Sequence, residues 1–185
     1  MRELIGSINI ATISGLRDRA LIGVMLYTFA RVSAVINMTI GDYSSVGKRS
    51  ELRLLEKGGK YIVMPAHHNL QLWLDDYIDV AGDIENTAIP LFCTINSKRE
   101  LTTRAMNRND ALRMIKRRAK KAGIPPRTVC SHSMRGTGIT TFLENDGSLE
   151  QAQYMAGHSD PRTTRLYDRR QQKVTQDEVE RIAFW

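Results

Sequence analysis

The last third of the chain is cut by local backbone signals into short helices, and this constrains the fold more than any other feature. Gly123-Ile-Pro-Pro126 ends one helix, because proline offers no amide hydrogen to continue it. Ser131 is suited to cap the next, which carries His132 and Arg135 three residues apart and therefore on one face. Ser148 and Gln151 have capping-box spacing, and Gly157 stands where that helix would end in a left-handed cap. Asp160 and Pro161 then read as the cap and first residue of a short helix ending near Tyr167. His158 is thereby expected to leave a rigid helix end.

Upstream the periodicities are longer. Leu16, Ala20, Val24 and Tyr27 recur at helical spacing, which predicts a helix over 15–30 with Arg31 at its end or just beyond. Glu51–Leu55 and Tyr61–Met64 read as strands around Glu56-Lys-Gly-Gly-Lys60, whose paired glycines mark a hairpin turn. A strand near Ile40–Ser44 would complete a three-stranded sheet. Residues 67–80 read as helix, and Leu112, Ile115, Ala119 and Ala122 line the apolar face of another. The expected class is α+β, mainly α-helical with a small three-stranded antiparallel sheet. With 185 residues and no internal repeat, low-complexity tract or linker, one domain is expected over 1–185.

Charge narrows the partners. A net charge of +7 and a pI near 9.6 favour a polyanion such as DNA. Arg113, Lys116, Arg117, Arg118, Lys120 and Lys121 crowd one segment, while Asp75, Asp76, Asp79, Asp83 and Glu85 crowd another, so one side is expected to face DNA. Phosphate contacts are assigned to Arg113, Lys116, Arg117 and Lys120. No apolar run approaches bilayer-spanning length, and Met-Arg-Glu-Leu-Ile-Gly-Ser lacks a signal-peptide layout, so a cytoplasmic protein without membrane attachment is expected. Two cysteines, Cys93 and Cys130, neither in a Cys-x-x-Cys unit, argue against a disulfide framework or zinc ribbon. Gly41-Asp-Tyr-Ser-Ser-Val-Gly-Lys48 is no P-loop: five residues separate its glycines, and Arg49 stands where Ser or Thr would meet magnesium. His67-His68 lacks a spaced carboxylate or cysteine partner and reads as an exposed helix start.

Singly, each chemistry-bearing residue says little; together and in order they say more. Arg31, Lys57, His132-x-x-Arg135, His158 and Tyr167 are residue types suited to a phosphodiester: arginine forks hold non-bridging oxygens, imidazoles donate hydrogen bonds or move protons, and a phenol can attack phosphorus. From Gly15-Leu-Arg-Asp-Arg-Ala through Ala30-Arg31 to Thr163-Thr-Arg-Leu-Tyr-Asp-Arg169, the chain resembles the catalytic domain of tyrosine recombinases, the family of lambda-type phage integrases, Xer-type recombinases and Cre. Within that family it is most similar to integrases of bacterial mobile elements. The strings His132-Ser-Met-Arg135 and Gly157-His-Ser-x-x-x-Thr-Thr-x-x-Tyr167 carry the resemblance.

The resemblance implies the DNA breaking-rejoining fold and a set of roles. Arg31 and Arg135 would clamp the phosphate, His158 would bond a non-bridging oxygen, and His132 would help take the tyrosine proton. Lys57 would protonate the departing 5′-hydroxyl, and Tyr167 would form a 3′-phosphotyrosyl link that conserves bond energy. Lys60 takes over from Lys57 if the hairpin register differs, and otherwise meets backbone phosphate or solvent. No metal, ATP or other cofactor is implied. The implied partner is double-stranded DNA at an attachment or recombination site, bound as a tetramer by a protein that is monomeric when free. A separate N-terminal domain gripping the other face of DNA is implied but absent from 1–185. The tail, 174–185, with Val174, Val179, Ile182 and Phe184 as its apolar stripe, would pack in cis or on a neighbour. The sequence departs from the family at Ala34, three residues after Arg31, where an acidic residue usually supports the arginines; Asp42 or Glu51 is the expected substitute. A type IB topoisomerase, which shares the tyrosine chemistry, and an inactive DNA-binding remnant of a mobile element stay open beside the recombinase.

Overall fold

The computed structural model describes residues 1–47, 49–56, 58–81, 86–169 and 176–181. Lys57 and the tail residues Val174, Ile182 and Phe184 lie outside them. Helix α1 (Arg2–Gly6) leads into α2 (Ile13–Thr28) and α3 (Val32–Ile36). Strands β1 (Tyr43–Val46), β2 (Arg49–Leu55) and β3 (Tyr61–Pro65) follow, then α4 (His68–Ala81), β4 (Cys93–Ile95) and β5 (Leu101–Ala105). Helices α5 (Arg108–Lys121), α6 (Ser131–Glu144), α7 (Leu149–Ala156), α8 (Pro161–Arg165) and α9 (Gln176–Glu180) complete the order.

Helix α2 runs through the middle. It is buried on nearly every side, from Gly15 to Met25, as expected of a helix covered by neighbours all round. Helices α4 and α6 pack against it. The contact with α6 is backbone-close: a Cβ on Gly138 would stand 2.2 Å from the Leu26 carbonyl oxygen, so only glycine lets the helices approach this far. The main core gathers Leu21, Ile22, Met25, Leu52, Leu70, Leu74, Met114 and Met134. A second, smaller cluster of Phe29, Ile139, Leu143, Ala152 and Ala156 joins the end of α2 to α6 and α7.

The sheet has the order β1-β2-β3, antiparallel, with Tyr43 opposite Leu52, and Leu52 and Leu54 opposite Met64 and Ile62. Alternate residues Ser50, Leu52 and Leu54 point inward, as the period of two demands. The β2–β3 turn closes where the Glu56 amide donates to the Lys60 carbonyl at 2.8 Å, with Gly58 and Gly59 at φ 91 and 81, a region that glycine enters without steric cost.

Three local expectations change. Ile40–Asp42 forms a 3-10 turn and the first strand starts at Tyr43, because the Asp42 carboxylate bonds back to the Thr39 amide and hydroxyl and holds a cap there. The β4–β5 pair is an additional two-stranded sheet, with a register irregularity between Cys93 and Ile95; strands of three and five residues carry too little alternation to be read. Cys130, not Ser131, caps α6, its amide donating to Ser133 Oγ at 3.0 Å. Among the described residues no helix is long and apolar enough to cross a membrane.

Candidate active site

At the end of α2 the chain reverses through Phe29, which caps the helix in the left-handed region at φ 55. Arg31 follows as the residue capping α3 in extended conformation, which throws its side chain out of both helices. Its Nη1 donates to the Glu56 carboxylate at the end of β2, where Glu56 is almost wholly buried and Arg31 about a third exposed.

Arg135, 3% exposed on α6, donates from Nη1 to the Phe29 carbonyl and from Nη2 to the Ala156 carbonyl. These oxygens belong to the C-terminal ends of α2 and α7, where helical carbonyls lack partners and the helix dipole favours a cation. Burial and then the neighbouring Arg31 charge lower its pKa, with Glu56 and Tyr167 opposing. An arginine starts so high that it stays charged.

Gly157 ends α7 at φ 57, and His158 leaves from that cap. The imidazole Nδ1 pairs with the fully buried Thr164 hydroxyl at 2.9 Å. Burial, then the positive charges of Arg135 and Arg31, push its pKa down to about 4, so the ring is neutral at physiological pH. Asp160 caps α8 through the Arg162 amide, and Pro161 occupies the first turn. Just beyond, the Tyr167 amide donates to the Thr164 carbonyl at 3.0 Å, and its ring lies near-parallel to His158 with centroids 6.2 Å apart. The ring also rests on α6: a Cβ on Gly136 would come within 3.1 Å of Tyr167 Cε1. His132 stands exposed one turn before Arg135.

Arg31, Arg135, His158 and Tyr167 therefore come together, whereas Lys57 lies outside the described residues. Of the substitutes expected for the carboxylate missing at Ala34, Asp42 is committed elsewhere, its Oδ1 accepting from Arg53 at 2.8 Å. The carboxylate that Arg31 meets is Glu56. It continues the inward register of Leu52 and Leu54, so a carboxylate on the core-facing side of β2 was the signal that could have found it. Thr164 stands in the Thr-Thr pair of the string ending at Tyr167, but sequence reasoning gave it no role.

The basic segment divides. Arg118 is buried, bonding Asp18 at 2.8 Å and the Ser14 carbonyl at 3.2 Å, so it belongs to the core and not to a DNA-facing side. Arg117 reaches Asp18 at 3.2 Å and Arg113 reaches Asp110 at 2.5 Å, both from exposed positions. Lys116 and Lys120 are exposed. Lys60 places its ammonium 5.8 Å from the Tyr154 ring centroid. A polar cleft of about 830 Å³ between the start of α2, β4–β5 and α5 is lined by Arg17, Arg99, Arg104, Arg113, Arg117 and Lys121 among others.

A mainly helical domain with a small three-stranded antiparallel sheet is the architecture of tyrosine recombinase catalytic domains. The fold matches the crystal structure of XerA recombinase with a TM-score of 0.71 at 25% identity, covering 98% of this chain and 60% of that one. It matches XerH site-specific recombinase bound to difH substrate equally well, TM-score 0.71 at 20% identity, over 90% of this chain and 47% of that one. In sequence, tyrosine recombinase XerD of Xanthomonas axonopodis pv. citri is 29% identical over 176 residues, which are 90% of this chain and 55% of the relative. The chain belongs to the phage integrase family, whose model matches residues 1–173. It spans about half the length of the relatives it matches.

Proposed function

We propose that the protein is the catalytic part of a site-specific DNA recombinase that cleaves and rejoins DNA through a covalent 3′-phosphotyrosyl intermediate. The observation that carries this reading is the convergence of Arg31, Arg135 and a neutral His158 beside Tyr167, from the end of α2, from α6 and from the segment after α7.

The chemistry runs as follows. Arg135 has five N–H donors and commits one from each Nη to a backbone carbonyl; the rest face a phosphate. Arg31 supplies a second guanidinium, and both stabilise charge on the equatorial oxygens of a pentavalent transition state. His158, neutral, donates a hydrogen bond without adding a third cation to the site. The Tyr167 oxygen attacks phosphorus, with His132 taking its proton. The bond from phosphorus to the 5′-oxygen breaks, and Lys57 protonates that leaving group. Reversal by another 5′-hydroxyl rejoins the strand; because the ester retains the bond energy no ATP is required, and Arg31 and Arg135 supply the charge stabilisation that a metal ion would otherwise provide. Duplex DNA is the partner, held along its backbone by Lys60, Arg113, Lys116, Arg117 and Lys120, and strand exchange takes place in a tetramer on DNA.

Nicked duplexes from candidate attachment sites, run on denaturing gels with and without EDTA, test the reading. A covalent adduct that survives EDTA and vanishes in Tyr167→Phe is expected; an adduct persisting in that variant overturns it. Transfer of the trapped strand to a second duplex then separates recombination from relaxation by a topoisomerase.

A further inference from the structure

The buried carboxylate of Glu56 is a group the roles above do not use. Its backbone is fixed by the hairpin: the amide donates to the Lys60 carbonyl at 2.8 Å and the carbonyl accepts from Gly59 at 3.2 Å. Its side chain turns inward on the face of Leu52 and Leu54, 7% exposed. There it meets Arg31 Nη1 and lies beside Gly157, whose Cβ would stand 3.8 Å from the carboxylate. The Glu56 charge also acts on Arg135. Meanwhile Ala34, on the helix that Arg31 caps, is buried and supplies only a methyl group.

A carboxylate is costly to bury unless it is paired, and two neighbouring guanidiniums repel each other. Glu56 offsets both costs at once. It balances one of the two arginine charges in the free protein, and a charged hydrogen bond from a rigid strand end fixes the direction of a long side chain that would otherwise sample many rotamers.

Resting on the recombinase reading above, we propose that Glu56 is the positioning residue for Arg31. It replaces, from the sheet, a carboxylate that Arg31's own helix lacks, so the phosphate clamp is set by the β2–β3 hairpin.

The test is a double-mutant cycle on the rate of covalent adduct formation, with Glu56→Gln, Arg31→Lys and the double variant on a nicked duplex. Partners that orient a functional side chain typically contribute about tenfold to a hundredfold, and Glu56→Gln is expected to slow cleavage by that factor while duplex affinity stays within about twofold. In the Arg31→Lys background the same change should cost less than about threefold, because interacting residues are not additive. An unchanged rate, or an equal loss in both backgrounds, overturns the proposal. If the unaltered protein forms no adduct, the recombinase reading fails, and nitrogen NMR of the arginine side chains still decides the pairing. A slowly rotating Arg31 guanidinium that becomes averaged in Glu56→Gln supports it; the same signal in both proteins sinks it.

Discussion

Arg135 does two jobs with one guanidinium. In the proposed mechanism it clamps the phosphate, and in the structure it ties the Phe29 and Ala156 carbonyls, so the ends of α2 and α7 depend on it. Arg135→Ala is therefore expected to lose cleavage and also to destabilise the fold by about 1–3 kcal/mol, the cost of buried acceptors left unpartnered; urea denaturation measures the second effect. His158 makes a pH prediction. Its pKa falls from the ordinary 6.5 to about 4 on folding, so between those values the unfolded chain binds a proton that the folded chain refuses. Stability from this group is intact above pH 6.5, declines as the pH falls, and is lowest at about 4 and below. The urea midpoint should drop between pH 7 and pH 4.5, and less so in His158→Asn. Gly136→Ala probes the tyrosine: the new methyl would press on Tyr167 Cε1, so adduct formation should fall about tenfold or more with little change in melting temperature, since small misplacements of reacting groups are costly.

At the scale of elements, the joint between α2 and α5 is electrostatic. Asp18 is completely buried and takes Arg17 at 2.5 Å, Arg118 at 2.8 Å and Arg117 at 3.2 Å. Removing the carboxylate leaves buried guanidiniums without compensation. Asp18→Asn should destabilise the protein by about 3–5 kcal/mol, seen as a lower urea midpoint with the slope retained. The joint between α2 and α6 rests instead on the absence of a side chain at Gly138. Where the elements begin and end was largely legible from caps and turns: Ser148 accepts from the Gln151 amide, Gly157 is left-handed, and Asp160 with Pro161 opens α8, as the sequence led one to expect. The β4–β5 pair was not legible, since its short strands owe their pairing to Thr94 and Thr102 and to the neighbouring core, not to any alternation of their own.

For the whole molecule, the DNA contact proposed above rests on the net charge of +7 and the exposed basic residues of α5. Lys116 and Lys120 are exposed on α5. Replacing both with alanine should weaken duplex binding at low salt and reduce the slope of log affinity against log salt by about one per lost phosphate contact. The cleavage rate at saturating DNA should hold. A salt slope identical to that of the unaltered protein would show that the backbone runs elsewhere, for example along the Arg104 and Lys121 side of the polar cleft.

Sequence alone determined where α5 and α7 end and where α7 and α8 begin, the hairpin around Glu56–Lys60, the helical class and the residues that carry the family resemblance. Those depend on signals within a few residues of one another: a missing amide, a side-chain cap, a left-handed glycine, a period of two or of 3.6. The tertiary structure decided which carboxylate meets Arg31, that Arg118 is core while Lys116 is surface, and that burial and two arginines push the His158 pKa down. The same residue type takes either role according to what lies across from it, because burial and charge pairing arise between residues far apart in the chain, and no local pattern encodes them.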